Sequence, residues 1–160
     1  MIQDKTVFFT RCPSLPFVEM RSANRSAACY HTHSHDEFSF GVIDTGSADY
    51  HNLNQRNHIA KGSTVTINPG DAHSCNPDKG EWSYRMLFVD THWISQLQQE
   101  LFECEGMDYL PFPGLYDNQT QSFFQFDQLF QALLVPNSKL AAETLLIEFL
   151  KKQFAKGFRL

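Results

Sequence analysis

The hydrophobic period of this chain changes once, at Asp90. Before that point apolar residues alternate with polar ones, the period of two that suits strands. From Trp93 onward they recur at a spacing of about 3.6, which suits helices. A chain patterned this way is held to strands first and helices after. It predicts a mainly β unit with a C-terminal α segment, packed as one compact body.

Within the first half, residues 1 to 16 hold a short apolar run, Val7-Phe8-Phe9, and two prolines, Pro13 and Pro16. They read as an arm laid across the domain. The first proper strand is expected from Phe17 to Ala23, with a turn at Asn24-Arg25-Ser26. From Glu37 to Asp44 the faces separate: Phe38, Phe40 and Val42 on one, Ser39, Gly41 and Ile43 on the other. A hairpin is expected from Ala48 to Leu53 and His58 to Lys61, then a short β-branched strand from Thr64 to Asn68. Pro69-Gly70 suits a type II turn, since proline fixes φ and glycine accepts a positive one. Trp82 to Val89 is the last long strand, with Trp82, Tyr84, Met86 and Phe88 on one face.

The helical half opens with Asp90 or Thr91 as a cap, and Trp93, Ile94, Leu97 and Leu101 form the stripe of a first helix. Tyr109 to Leu115 is a connector. Phe123, Phe126, Phe130 and Leu133 share one face of a second helix, which Pro136 stops. Asn137 or Ser138 can cap a third, carrying Ala142, Leu145, Leu146, Phe149 and Leu150 inward, and Gly157 is a plausible end.

Two segments carry the chemistry, HSHDEFSFGVIDTG from His33 to Gly46 and NPGDAH from Asn68 to His73. In a strand, residues i and i+2 share a face, so His33 and His35 would point together. His73 would meet them from a neighbouring strand. These segments are similar to the two motifs of the cupin superfamily. With NPGDAHSCNP and WSYRMLFVD following in order, the stretch from about Phe17 to Leu101 resembles the N-terminal sensing domain of AraC-family bacterial transcription regulators. The resemblance implies a cupin-like β-barrel (double-stranded β-helix or jelly roll) followed by a helical hairpin. It also implies a small-molecule effector in the barrel, a homodimer, and DNA binding through a helix-turn-helix domain outside this chain. The division expected is a barrel with its arm over 1–90 and a helical, dimerising segment over 91–160.

One position departs from the metal-binding pattern. Where such cupins place a glutamate, four residues after the second histidine, this chain has Ser39; Glu37 lies at the wrong spacing. No cofactor and no closed four-ligand metal site are therefore expected. If any metal binds, His33, His35 and His73 are its ligands, since imidazole suits several transition ions. The other readings are ligand contact without metal, and histidines satisfied by neighbouring backbone.

The 160 residues fit one domain, at 42% hydrophobic and 19% charged, with fifteen phenylalanines that suggest a filled barrel or an apolar cavity. A net charge of −5 argues against a surface built to grip phosphates. Cys12, Cys29, Cys75 and Cys104 show no CxxC spacing, so reduced thiols in a cytoplasmic protein are expected. No secretory signal or membrane span is read in the chain.

The candidate effector-binding residues are His33, His35, Glu37, His73, Trp82, Tyr84 and Arg85. Arg85 has two readings: clamping a carboxylate of the effector, or pairing with Glu37, Asp36 or Asp44, which is favoured. A small metal-dependent cupin enzyme, a dioxygenase or isomerase, is the rival to a non-enzymatic sensor. Phe123 and Phe124 are adjacent, as are Leu133 and Leu134, so neither pair can share one helix face. The surplus apolar surface marks a dimer seam over residues 118 to 154, with Phe123, Phe124, Leu134 and Leu146 as candidates.

Overall fold

The computed structural model describes residues 6–103 and 108–158. Cys104, expected to be a free thiol, lies outside the described residues. Eight strands precede the first helix: β1 (Val7–Arg11), β2 (Val18–Ser26), β3 (Phe38–Thr45), β4 (Ser47–Asn52), β5 (Gln55–Ala60), β6 (Thr64–Ile67), β7 (His73–Pro77) and β8 (Trp82–Val89). Then come α1 (Thr91–Phe102), the short strand β9 (Tyr116–Asp117), α2 (Thr120–Leu134) and α3 (Lys139–Ala155), closed by one 3₁₀ turn. The change of element type falls at Asp90, whose carboxylate accepts the Trp93 N–H at 2.9 Å and caps α1.

The strands form a six-stranded sheet, ordered β1-β2-β8-β3-β6-β9, and a three-stranded sheet, β5-β4-β7. All pairings within them are antiparallel. Because side chains alternate across a strand, the larger sheet serves two interiors. Phe38, Phe40 and Val42 of β3 and Leu87 and Val89 of β8 face the helices, where they pack with Phe126, Phe149 and Leu150. Ile43, Val65, Ile67, Trp82 and Tyr84 face the smaller sheet and meet Tyr50 and Ile59. The Tyr50 hydroxyl donates to the Thr66 carbonyl at 2.9 Å and so ties the two sheets together. Gly41 has a packing reason. A Cβ there would lie 2.0 Å from the Arg85 carbonyl oxygen and 2.4 Å from the Met86 sulfur.

The N-terminal segment is more embedded than an arm lying over the surface. Its β1 pairs with β2 as an edge strand, while Cys12 and Leu15 are buried in the helix-side core. Phe8 and Phe9 are its exposed large apolar side chains, and Thr10, Arg11, Pro13 and Pro16 are exposed as well. The expected turn at Asn24-Arg25-Ser26 is a bulge inside β2, where Arg25 takes φ 55°. The hairpin turn sits earlier than expected, at Leu53-Asn54, with Leu53 at φ 53°.

Arg85 belongs to the helix side. Its Nε and Nη2 donate to the two carboxylate oxygens of Asp44 at 2.9 and 2.8 Å, and its Nη1 donates to Asp127 of α2 at 2.7 Å. The rings of Phe123, Phe126 and Phe130 surround the guanidinium at 5.2–5.9 Å. Burial opposes the charge, but the bonds to Asp44 and Asp127 outweigh it and raise the pKa. The carboxylate-clamp role considered for Arg85 is thereby corrected: strand alternation places it on the opposite face from Trp82 and Tyr84.

Two of the seam candidates also need revision. Leu146 is fully buried between the helices and the sheet and offers nothing to a partner, while Phe123 is half-buried over Arg85. Phe124 and Leu134 are exposed, at 60% and 54%, and Val135 and Leu140 add to the same surplus.

Candidate functional site

Between the two sheets lies a cavity walled by β2, β3, β6, β7 and β8. Arg21 comes from β2, Ser39 and Ile43 from β3, and Val65 and Ile67 from β6. His73 and Cys75 come from β7, and Trp82, Tyr84, Met86 and Phe88 from β8. Tyr30, His33 and His35 complete it from the segment joining β2 to β3.

That segment is not a strand. It is pinned at three points. Asn76 accepts the Tyr30 N–H at 2.7 Å and donates back to the Tyr30 carbonyl at 3.0 Å. His33 and His73 exchange backbone hydrogen bonds at 3.0 and 2.9 Å. The Gly70 N–H donates to the His35 carbonyl at 2.9 Å. Gly70 holds φ +79°, so the Pro69-Gly70 turn presents its amide to the histidine segment.

The three imidazoles converge, with ring centroids 4.6 Å (His33–His73), 4.7 Å (His35–His73) and 5.2 Å (His33–His35) apart. Their nearest nitrogens lie within 4.8 Å of one another. His33 Nδ1 sits 2.9 Å from the His31 carbonyl and His73 Nδ1 sits 2.8 Å from the Asp71 carbonyl. Nδ1–H then donates to the carbonyl in each ring, which leaves Nε2 as the free lone pair. Burial, then the neighbouring His73, His33 and Arg21 charges, push His35 down to about 4. Burial also lowers His73. Both are neutral at physiological pH.

A metal of the kind that cupin barrels hold meets a mixed reception here. The three imidazoles, two of them oriented through Nδ1, suit a borderline divalent ion, for which they would supply three ligands and leave open positions. The charge around them does not suit one. Ser39 stands where a carboxylate would complete the set, no aspartate or glutamate lines the cavity among the described residues, and Arg21 adds a fixed positive charge.

Five of the seven expected effector-site residues, His33, His35, His73, Trp82 and Tyr84, do share this cavity. Arg85 and Glu37 do not. Glu37 precedes β3 and lies along a separate surface groove with Arg11 and Glu19, because the chain is still bending at that point and strand alternation has not begun.

Arg21 is the residue that sequence reasoning missed. It faces Phe9 of β1 and Met86 of β8 across the sheet. Its guanidinium lies 5.1, 5.3 and 5.5 Å from the rings of Phe9, Tyr30 and Tyr84, within reach of a cation–π attraction. The signal available was alternation with Val18 and Met20, but Glu19-x-Arg21 looks like a solvent face.

A family model described as AraC-like ligand binding domain matches residues 18–150, which extends the likeness past Leu101 into α3. No curated protein matches the chain. Among solved structures, a mutant of Bacillus subtilis oxalate decarboxylase OxdC has 15% identity and a TM-score of 0.49, covering 56% of this chain and 26% of that one. A Cupin 2 conserved barrel domain protein from Salinispora arenicola CNS-205 has 17% identity and a TM-score of 0.46, covering 52% of this chain and 74% of that one. The chain thus spans about a quarter of the decarboxylase's length. Likenesses of this strength carry no argument about activity.

Proposed function

The chain belongs to the AraC-like ligand-binding domain family, and from that membership we propose that it is the effector-sensing and dimerising part of a transcription regulator. A small molecule enters the cavity between the sheets. A second copy of the chain covers the exposed apolar residues of α2 and α3. DNA is contacted by a helix-turn-helix domain outside this chain, consistent with a net charge of −5. In this reading residues 1–90 form the sensing barrel with its arm, residues 91–160 form the dimerising segment, and the regulator works in the cytoplasm. No described helix is long and apolar enough to cross a membrane.

The observation that carries the reading is the cavity. Its walls are mostly apolar and aromatic, with a few polar groups converging on one spot, as small-molecule sites are built. Through Arg21 it also reaches the edge strand β1. Phe9, on the edge strand, lies over Arg21, so a ligand that engages Arg21 has differential contact with two positions of β1, which a population shift requires. The test pairs two measurements. A thermal-shift screen of this chain against sugars, amines and carboxylic acids finds the binding class. A promoter-reporter assay with the chain joined to its DNA-binding part then asks whether the same compounds change transcription. Compounds that stabilise the chain and leave transcription unaltered would argue against sensing.

A second reading, a metal-dependent cupin enzyme such as a dioxygenase or isomerase, rests on the three converging imidazoles. It requires a bound metal, which elemental analysis decides.

A further inference from the structure

Seven buried side-chain polar atoms lack a hydrogen-bond partner among the described residues, and three belong to one cavity: Arg21 Nε, Ser39 Oγ and His35 Nδ1. Buried polar atoms are nearly always satisfied, so three orphans lining one space point to something that completes them. Arg21 Nε–H is a donor in every state, and Ser39, fully buried, is a donor or an acceptor as needed. Arg21 also forms no ion pair among the described residues, whereas Arg11, Arg25 and Arg85 each have an acidic partner. A half-buried cation that faces aromatic rings and no carboxylate is costly unless an anion joins it.

The position of Ser39 sharpens the argument. It is fully buried, and its Oγ has no partner among the described residues. Arg21 and Gly41 both pair with Met86, and Ser39 lies two residues from Gly41 on the same face. The donors therefore border one patch of sheet in the cavity wall, and no carboxylate among the described residues lines the cavity beside them. We propose that the ligand is a small monocarboxylic acid with an apolar body, its carboxylate held by Arg21 and Ser39 and its body against Trp82 and Tyr84. This assignment rests on the sensing reading above. Arg21, the fixed cation of the cavity lining, matches a single negative charge. A dianionic phosphate would bury a second charge with no fixed partner. The guanidinium fork also suits the planar carboxylate.

The experiment is calorimetric titration of the 160-residue chain with benzoate, phenylacetate and isovalerate, each against its neutral amide. Glucose and benzylamine serve as probes of other classes. At least one acid is expected to bind, with its amide at least tenfold weaker. Arg21→Gln should weaken the acid by about 10- to 100-fold, the worth of a hydrogen bond to a charged group, and remove the preference over the amide. Ser39→Ala should weaken it severalfold, and it serves as the readout if Arg21→Gln does not fold by circular dichroism. Acid and amide binding equally, or acid binding unchanged in the variant that folds, overturns the carboxylate assignment. Binding of glucose or benzylamine alone overturns it too, while leaving the sensing reading in place. Binding of none of the probes overturns the assignment as well, and the broad thermal-shift screen then decides the fate of the sensing reading separately.

Discussion

His33 and His73 exchange both of their backbone hydrogen bonds, at 3.0 and 2.9 Å, as an isolated antiparallel bridge outside β3. That bridge, and not a continuous strand, brings the two histidines together. Their rings, with that of His35, form a cluster with centroids 4.6–5.2 Å apart.

The pH dependence of stability follows from the burial of His35 and His73. His35 titrates near 4 in the folded chain, lowered by burial and by His73, His33 and Arg21, with Asp36 opposing. An unfolded histidine titrates near 6.5. Between these values the unfolded chain binds more protons than the folded one, so stability falls as pH drops from about 6.5 to about 4. The lowered His73 acts in the same direction. Urea unfolding at pH 7 and pH 5 should show the loss, and His35→Asn should reduce it. Equal midpoints at both pH values for the unmodified chain would show that the cluster is not desolvated in solution.

Metal should be substoichiometric after purification. Among the described residues the cavity has no carboxylate to neutralise a dication, and Arg21 opposes one. Inductively coupled plasma analysis is the measurement. One zinc, iron or nickel per chain, lost in His33→Ala, would favour the enzyme reading.

Arg85 joins β8, β3 and α2 through Asp44 and Asp127. Its side chain is 13% exposed, while the two acids are 28% and 40% exposed. Truncating a fully buried partner costs about 3–5 kcal/mol. With the acids partly solvated, Arg85→Ala should cost about 2 kcal/mol, read from denaturant midpoints. Ligand affinity should not change, because Arg85 lies outside the cavity. A large loss of affinity with stability intact would reinstate the clamp role.

The dimer prediction rests on Phe124 and Leu134. Both are exposed on α2, and an apolar surplus of this kind marks a partner surface. Sedimentation should give a dimer at tens of micromolar, and Phe124→Asp should give a folded monomer. A monomeric unmodified chain would rule the seam out. A dimeric Phe124→Asp would only move it.

Much of the fold could be read from local rules. The change of period at Asp90, the Asp90 cap, the Pro69-Gly70 turn and the stop at Pro136 each depend on neighbours in sequence. The failures depend on contacts distant in sequence. The favoured pairing of Arg85 with Asp44 holds, but its place and that of Glu37 among the effector residues do not, because which face of a strand looks inward is decided by the partner sheet and the helices. Arg21 was overlooked because a cation in a polar-looking alternation resembles a solvent face. Strand β9 was missed because only two residues of a proline-rich connector pair with β6. Leu146 reads as a seam residue from sequence because its packing against the larger sheet is a contact distant in sequence.

The central claim is that the ligand sits between the sheets, and the chain carries its own reporter. Of its two tryptophans, Trp82 lines the cavity, while Trp93 stacks on Phe17 at 4.4 Å, outside it. In a Trp93→Phe chain, titrating the tightest ligand should change the Trp82 emission saturably, with the same Kd as calorimetry. Saturable calorimetric binding with unaltered Trp82 emission would place the ligand elsewhere and contradict the account.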